Sequence, residues 1–361
     1  MRIVVAMSGG VDSSVAAALL VEQGHEVIGL SMQLYDVSER ADGERSFGSC
    51  CTIDDLHDAR RVAAAIGIPH YIVNFERQFH DQVVSNFVDE YAAGRTPLPC
   101  AHCNSDLKFA TLLDRARGLG ADAVATGHYA RVERTESGHH HLRRGADGTK
   151  DQSYFLFALT QEQLARAVFP VGDRPKDEVR EYARQRGLPV AAKPDSQEIC
   201  FIPDHDYASF VTRRAPASVA AGGWILDEAG RALGRHGGIH RFTVGQRKGL
   251  GLSSSGAGKP LYVLSLKPES QDVIVGPKAS LERTRLTASG VNWIEGAARA
   301  ESRSACVQIR HRHHAAPAIV RATGRDRAEV VFDTPQIAVT PGQAAVFYDG
   351  EVVIGGGWID N

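Results

Sequence analysis

Cysteine is scarce in this chain: six in 361 residues, at positions 50, 51, 100, 103, 200 and 306. That is too few for a disulfide framework to stand in for a hydrophobic core, so the fold must rest on ordinary packing. No run of 18 apolar residues occurs either, which argues against a helical membrane span. The opening stretch MRIVVAMSGG is too short and too broken by glycine for a secretory leader. A cytoplasmic location with no membrane is therefore expected. In that reducing setting isolated cysteines more often mean chemistry or metal than staples. An excess of charge is missing too, since 41 Lys and Arg against 43 Asp and Glu leave −2.

Acid, however, is missing locally. Between Ala229 and Pro268 stand Arg231, Arg235, Arg241, Arg247, Lys248, Lys259 and Lys267 without one carboxylate, and between Ser302 and Arg325 five Arg, again without acid. A near-neutral total can hide a basic face, and a polyanion needs only the face.

Among the residues present, order along the chain comes first. RIVVAM (2–7), EVIGLSM (26–32), HYIV (70–73) and the stretch from Asp122 to Gly127 are short apolar runs. Amphipathic stretches lie between them: VDSSVAAALLVEQG, DDLHDARRVAAAIG, FHDQVVSNFVDEYAAG and NSDLKFATLLDRARGLG. Strands alternating with helices of this length predict βαβ units and a doubly wound parallel α/β sheet. After about residue 205 short period-2 runs such as LYVLSL and DVIVG replace the helices, and a last block ends in AAVFYDGEVVIGGGWI, with the hairpin pair Asp349-Gly350 inside it. Three units are expected: an α/β domain over 1–205, a small basic central domain over 206–280, and a C-terminal β-barrel over 281–361.

The first strand runs into AMSGGVDSS, residues 6–14. Paired glycines let a backbone approach a phosphate closely, while Ser8, Ser13 and the first free N–H groups of the following helix can donate to its oxygens. No Lys-Ser/Thr follows the glycines, so this is not a Walker A loop, and it is not G-x-G-x-x-G. Asp12 falls in the first helical turn and can hold Mg²⁺ against phosphate oxygens. The alternative is a tight strand–helix turn with a serine cap. Further on, CAHC places Cys100 and Cys103 three residues apart, a spacing that suits metal, redox or nucleophilic chemistry alike. Asn104 and Ser105 look like helix caps. They would put Cys103 at a helix N-terminus, where a thiol pKa falls from about 8.5 into the range of about 3.5–7.5. Zinc lacks a second C-x-x-C.

The SGGVDSS loop resembles that of the ATP pyrophosphatases, which split ATP between its α and β phosphates. With CCTIDDLHDARRVAAAIGIPHYIVNFE, PCAHCNSDLKF, ATGHYAR, KDQSYFL, DSQEICFIPD and GQRKGLG in this order, the chain resembles the tRNA-specific 2-thiouridylase family from Arg2 almost to its end. The resemblance implies ATP-dependent adenylation of the 2-oxygen of the tRNA wobble uridine, followed by replacement with sulfur. It implies that Cys200 carries a persulfide supplied by a donor protein and that Cys103 is its catalytic partner, with a Cys103–Cys200 disulfide on either route of sulfur transfer. ATP would lie against Ala6, Met7, Ser8, Gly9, Gly10, Val11, Asp12, Ser13, Met32 and Gly127. The tRNA would meet His128, Lys150, Asp151, Gln152, Arg310, His311 and Gln343. A rival reading makes Cys100, Cys103 and Cys200 ligands of an iron–sulfur cluster. Two departures bear on the base: Leu98 stands where the family usually has Asn, and His311 where Tyr is usual.

Overall fold

The computed structural model describes residues 1–34, 53–195, 199–202, 206–252, 260–296 and 301–361. Cys50, Cys51, Lys259 and Ser196 to Glu198 lie outside the described residues.

Five parallel strands form the first sheet: β1 (Arg2–Ala6), β2 (Glu26–Gln33), β3 (His70–Asn74), β4 (Ala123–Ala125) and, after a β5–β6 hairpin (Ala130–Arg134 and His140–Arg144), β7 (Ala167–Val168). Their spatial order is β3-β2-β1-β4-β7. Both faces of the inner strands β1, β2 and β4 are covered, which explains why they read as unbroken apolar runs, whereas edge strand β3 leaves Tyr71 and Ile72 exposed. On one side Ile3 and Val5 pack with Ala17 and Leu20 of α1 (Val11–Glu22) and with Ala59 and Val62 of α2 (Ile53–Ile66). On the other, Val4, Ile28 and Leu30 pack with Phe79, Phe87, Leu107 and Leu112. Those four belong to two long helical runs, residues 76–92 and 99–118. Wide i→i+5 turns interrupt both runs, at His80–Val84 and at Cys103–Thr111.

The run at 99–118 corrects the expected start of this helix. It begins at Pro99, five residues before the capping pair read from the sequence. Proline suits a first helical position because it has no N–H to leave unpaired. Asn104 and Ser105 are therefore interior, and their side chains do other work: Asn104 Nδ2 donates to the Phe155 carbonyl at 3.2 Å and Ser105 Oγ to that of Ala101 at 3.1 Å. Lys150, Asp151 and Gln152 lie in a loop after the β5–β6 segment. They lead into a single 3₁₀ turn, Ser153–Phe155.

The central unit is a small sheet of β8 (Gly223–Asp227), β9 (Ala232–His236), β10 (Tyr262–Lys267) and β11 (Asp272–Gly276), preceded by a helix at Tyr207–Arg214. Six antiparallel strands follow: β12 (Glu282–Asn292), β13 (Arg303–Gln308), β14 (Ala316–Gly324), β15 (Arg327–Ile337), β16 (Ala344–Asp349) and β17 (Val352–Ile359). A β12–β17 pairing closes them into a barrel. Gly350, with φ of 56°, makes the tight turn at the expected Asp-Gly hairpin, where Asp349 pairs Val352. One element had no forewarning in the sequence. The β5–β6 hairpin leaves the parallel-sheet layer and adds to the barrel through β17, Leu142 pairing Val353.

Candidate active site

The order in which strands are laid down reverses between β1 and β4: the connections after β1 build outward through β2 and β3, and β4 returns, still parallel, on the other side of β1. Ligands of open α/β sheets bind outside the strand ends at such a point. Both loops there carry sequence-predicted residues. Residues 7–10 link β1 to α1, and Gly127 and His128 follow β4.

Gly9 has φ of 74°, and a Cβ on it would lie 2.2 Å from the Asp55 carbonyl oxygen, so only glycine fits. Gly10 precedes α1 in extended conformation, without a side-chain cap, leaving the first N–H groups of Val11, Asp12 and Ser13 directed out of the helix end. Ser8 N donates to Ser13 Oγ at 3.2 Å and Ser13 Oγ to the Gly10 carbonyl at 3.2 Å, which fixes the loop. Gly127 packs on the same turn from the β4 side. A Cβ there would come within 2.5 Å of Ser13 N and 2.6 Å of Asp12 C. Ala6 ends β1, while Met7 and Met32 are buried beside the loop, Met7 N donating to the Leu30 carbonyl at 2.8 Å. Of the residues expected to face ATP, Ser8 to Ser13 and Gly127 thus converge on one helix end.

Asp12 does not stand alone. Lys176 Nζ donates to both of its carboxylate oxygens, at 2.7 and 2.8 Å, and Tyr129 Oη to Oδ1 at 2.8 Å. Burial and then the Asp12 carboxylate push the Tyr129 phenol far above its usual range, so it stays a donor. Lys176, itself buried, also lies 2.8 Å from Asp195, which takes Lys150 at 2.9 Å and Arg180 at 2.6 Å as well. Burial pushes Asp195 up, but hydrogen bonds from Lys176 and Lys150 outweigh it and hold the carboxyl well below the usual range. Lys193 Nζ donates to the Gly9 carbonyl at 3.0 Å, to Asp55 at 2.5 Å and to Asp58 at 2.7 Å. Lys176, Asp195, Lys193 and Tyr129 were missed in the sequence. One signal was available: Lys176 opens the helix Lys176–Gln185, at the end where the dipole disfavours a cation.

The cysteines come next. Cys103 sits within the wide-turned segment of the 99–118 run, buried in the core shared with the parallel sheet, and Cys200 packs, half-buried, against that same core. Phe201 anchors the Cys200 segment, edge-on to Phe79 at 5.5 Å and to Phe87 at 5.1 Å. Wide helical turns of this kind frequently mark functional sites. The helix-terminal position expected for Cys103 belongs instead to Cys100, which is exposed in the first turn after Leu98 and Pro99. Among the described residues no group of three or more His, Cys, Asp or Glu is placed to hold a metal ion. The three cysteines are thus not arranged as a ligand set, and Asp12 would be a single protein ligand to a Mg²⁺ brought by a nucleotide.

The remaining predicted residues fall into two groups. His128, partly buried, bonds Thr126 through Nδ1 at 2.7 Å, and burial followed by the Lys108 charge pushes its imidazole well below its usual pKa, so it is neutral at pH 7. Lys150 belongs to the Asp195 cluster. Asp151 faces inward, accepting from Gly145 N, Ser153 N and Arg144, while Gln152 accepts from Tyr129 N at 3.0 Å. On the barrel, exposed His311 leans on Phe155 with centroids 4.8 Å apart. Arg310 and Gln343 line a cavity of about 450 Å³ together with Thr96, Thr243, Tyr262 and Lys278. Gln343 Nε2 donates to the carbonyls of Thr96 and Pro97, and His102 stacks on Trp358 at 4.5 Å. The barrel therefore holds both ends of the segment that leads into the cysteines.

A doubly wound parallel sheet with a glycine-serine loop at its switch point, a cavity lined by Lys278 and Arg310, and two cysteines on one core defines a nucleotide-using α/β enzyme of modular build. Three family models match in succession: tRNA methyl transferase HUP domain over residues 1–204, tRNA methyl transferase PRC-barrel domain over 208–277, and aminomethyltransferase beta-barrel domain over 283–359. A tRNA-specific 2-thiouridylase of Geobacter metallireducens is 55% identical over 361 residues, covering 99% of this chain and 96% of that protein. Those of Geotalea uraniireducens and Solibacter usitatus are 52% and 53% identical, covering 100% and 99% of this chain and 95% and 99% of their own. The chain belongs to the tRNA-specific 2-thiouridylase family. The phosphate loop and the paired cysteines fit that description rather than the methyl transferase wording of the domain models.

Proposed function

We propose that this protein is an ATP-dependent tRNA 2-thiouridylase. The observation that carries the reading is full-length membership of that family joined to an uncapped helix end behind a Gly-Gly turn at the sheet's switch point. The 2-oxygen of the wobble uridine attacks the α-phosphorus of ATP; the new P–O bond replaces the bond to pyrophosphate, which leaves. A carbonyl oxygen, a poor leaving group, has now become AMP. Sulfur held as a persulfide on Cys200 then replaces it at carbon 2. In one route the terminal persulfide sulfur attacks carbon 2 and AMP departs; Cys103 thiolate next attacks the Cys200 sulfur, freeing 2-thiouridine and leaving a Cys103–Cys200 disulfide. In the other, Cys103 attacks the persulfide first and releases hydrosulfide, which displaces AMP. Either way an external dithiol must reduce the disulfide, and a persulfide-bearing donor protein must reload Cys200.

The N–H groups of residues 11–13 and the Ser8 and Ser13 hydroxyls serve the phosphates. Mg²⁺, when bound with ATP, would supply charge neutralisation on the phosphate oxygens, with Asp12 its protein ligand. The acid-free stretches of the central unit and barrel serve the tRNA backbone, with His128, Arg310, His311 and Gln343 nearer the modified base. In the cell the enzyme works in the cytoplasm, beside its tRNA.

The test supplies ATP, Mg²⁺, unmodified tRNA, a small-molecule persulfide and a dithiol, and measures 2-thiouridine in digested tRNA by mass spectrometry. One AMP and one pyrophosphate per 2-thiouridine are expected. AMP formation without thiolation under persulfide supply would overturn the sulfur step; no tRNA-dependent AMP would overturn the whole reading.

A further inference from the structure

Asp12 poses an electrostatic problem. It places a carboxylate in the first turn of the helix whose end must accept a polyphosphate, and two anions there repel. Lys176 answers it in the structure by covering both Asp12 oxygens, at 2.7 and 2.8 Å. Neutralising Asp12 would need only that contact. Yet the ammonium is shared, at 2.8 Å, with Asp195. Asp195 in turn gathers Lys150 and Arg180, so the ammonium sits in a network of three cations and, with Asp147 beside its backbone, three carboxylates. Burying a lysine is costly unless it is paired, and here it is paired twice, so loss of one partner does not strand it. The backbone agrees with a fixed emplacement. Lys176 N donates to Asp147 Oδ2 at 3.0 Å, and Arg180, one turn on, donates to the Lys193 carbonyl at 3.0 Å.

We infer that Lys176 is the phosphate-directed cation of the nucleotide site: it neutralises Asp12 and turns to the pyrophosphate portion of the nucleotide on binding, with Asp195 retaining it throughout. Lys176 is thus a binding residue for the adenylation step, and Asp195, which acts through it, a positioning residue. The inference rests on the phosphate-loop reading of residues 6–14.

The probe is inorganic pyrophosphate without divalent ion, in the presence of a chelator, titrated calorimetrically into the full-length protein. Asp12→Asn removes a negative charge and should bind pyrophosphate as tightly as wild type or tighter. Lys176→Met should weaken binding at least tenfold. The deciding variant is Asp12→Asn with Lys176→Met, in which no buried charge is left unpaired at that contact and folding, followed by thermal melting, should recover. If Lys176 faces the phosphates, this double variant binds at least tenfold more weakly than Asp12→Asn alone, and Lys176→Arg restores part of the loss. Equal affinity of the double variant and Asp12→Asn overturns the inference, because Lys176 then only neutralises Asp12. Absence of pyrophosphate binding by wild type itself would instead strike at the phosphate-loop reading.

Discussion

Replacing Gly127 with alanine adds one methyl group in the tightest place the nucleotide site offers. The backbone at Gly127 is not in the left-handed region, so alanine meets no conformational penalty and the effect is one of space. The new Cβ would lie 2.5 Å from Ser13 N, 2.6 Å from Asp12 C and 2.9 Å from Asp12 Cβ, against 3.4–4 Å for ordinary contact. The helix end must therefore retreat by about 0.9 Å, because two of the three obstacles are backbone. Overpacking of this kind costs about 1–3 kcal/mol in stability, a loss a chain of this size tolerates. Function suffers more, since the atoms displaced are those that donate to phosphate, and a misplacement of about 1 Å can cost roughly 10²-fold in rate. We expect tRNA-dependent ATP–pyrophosphate exchange to fall about 100-fold in kcat/KM, with tRNA affinity within about threefold of wild type. Exchange kinetics, filter binding of tRNA and a thermal melt on one preparation decide it. Exchange within threefold of wild type would refute the placement of Gly127 against the reacting nucleotide; exchange and tRNA binding lost together would refute a local effect.

Cys103→Ser and Cys200→Ser should each abolish thiolation while ATP and tRNA still bind, and Cys100→Ser should retain substantial activity; inactivity of all three with iron-dependent turnover would revive the cluster reading. Neutralising Arg247 and Lys248 together, both exposed, should weaken tRNA binding and flatten its salt dependence by roughly one unit per lost phosphate contact, read from log–log salt titrations, with ATP binding unchanged. The Asp195 carboxyl is depressed in the folded chain, so its stabilisation is present in full above the unfolded value of about 4 and is lost as the pH falls toward the folded one. Asp195→Asn should therefore lower the urea midpoint at pH 7 and lose that difference progressively below pH 4. A gap that stays constant down to pH 2 would count against the charge cluster.

The parallel sheet was legible because β1 and β2 are covered on both faces and short apolar runs alternate with helical stretches along the chain; β1, β2 and β3 fall within about a residue of the apolar runs read from the sequence. The loop at 6–14 was legible because glycine, serine and acid crowd a strand–helix junction. Cys103 was misplaced for a local reason: Asn104 and Ser105 have the chemistry of caps, but Pro99 starts the helix a turn earlier. The pairing of Lys176 with Asp12 was out of reach, since it spans 164 residues and no periodicity reports a contact that long, and Asp195 joins the site only through Lys176. The β5–β6 hairpin was hidden for another reason. Its strands are short and half polar, and only the partner supplied by β17 makes them a sheet.

That hairpin has a consequence for how the molecule comes apart. Because β6 takes its outer hydrogen bonds from β17, and Arg131 and Arg143 both reach Glu351 beyond the Asp349-Gly350 turn, the barrel and the parallel-sheet layer share a strand edge as well as a packed core. Dividing the polypeptide ahead of β12 would bare unpaired strand edges on both fragments, each a template for pairing with another chain. Separately expressed halves should thus tend to aggregate, whereas co-expressed halves should re-form one particle. Heating should melt the two ends in a single step, the cooperative unit being larger than any of the three sequence modules.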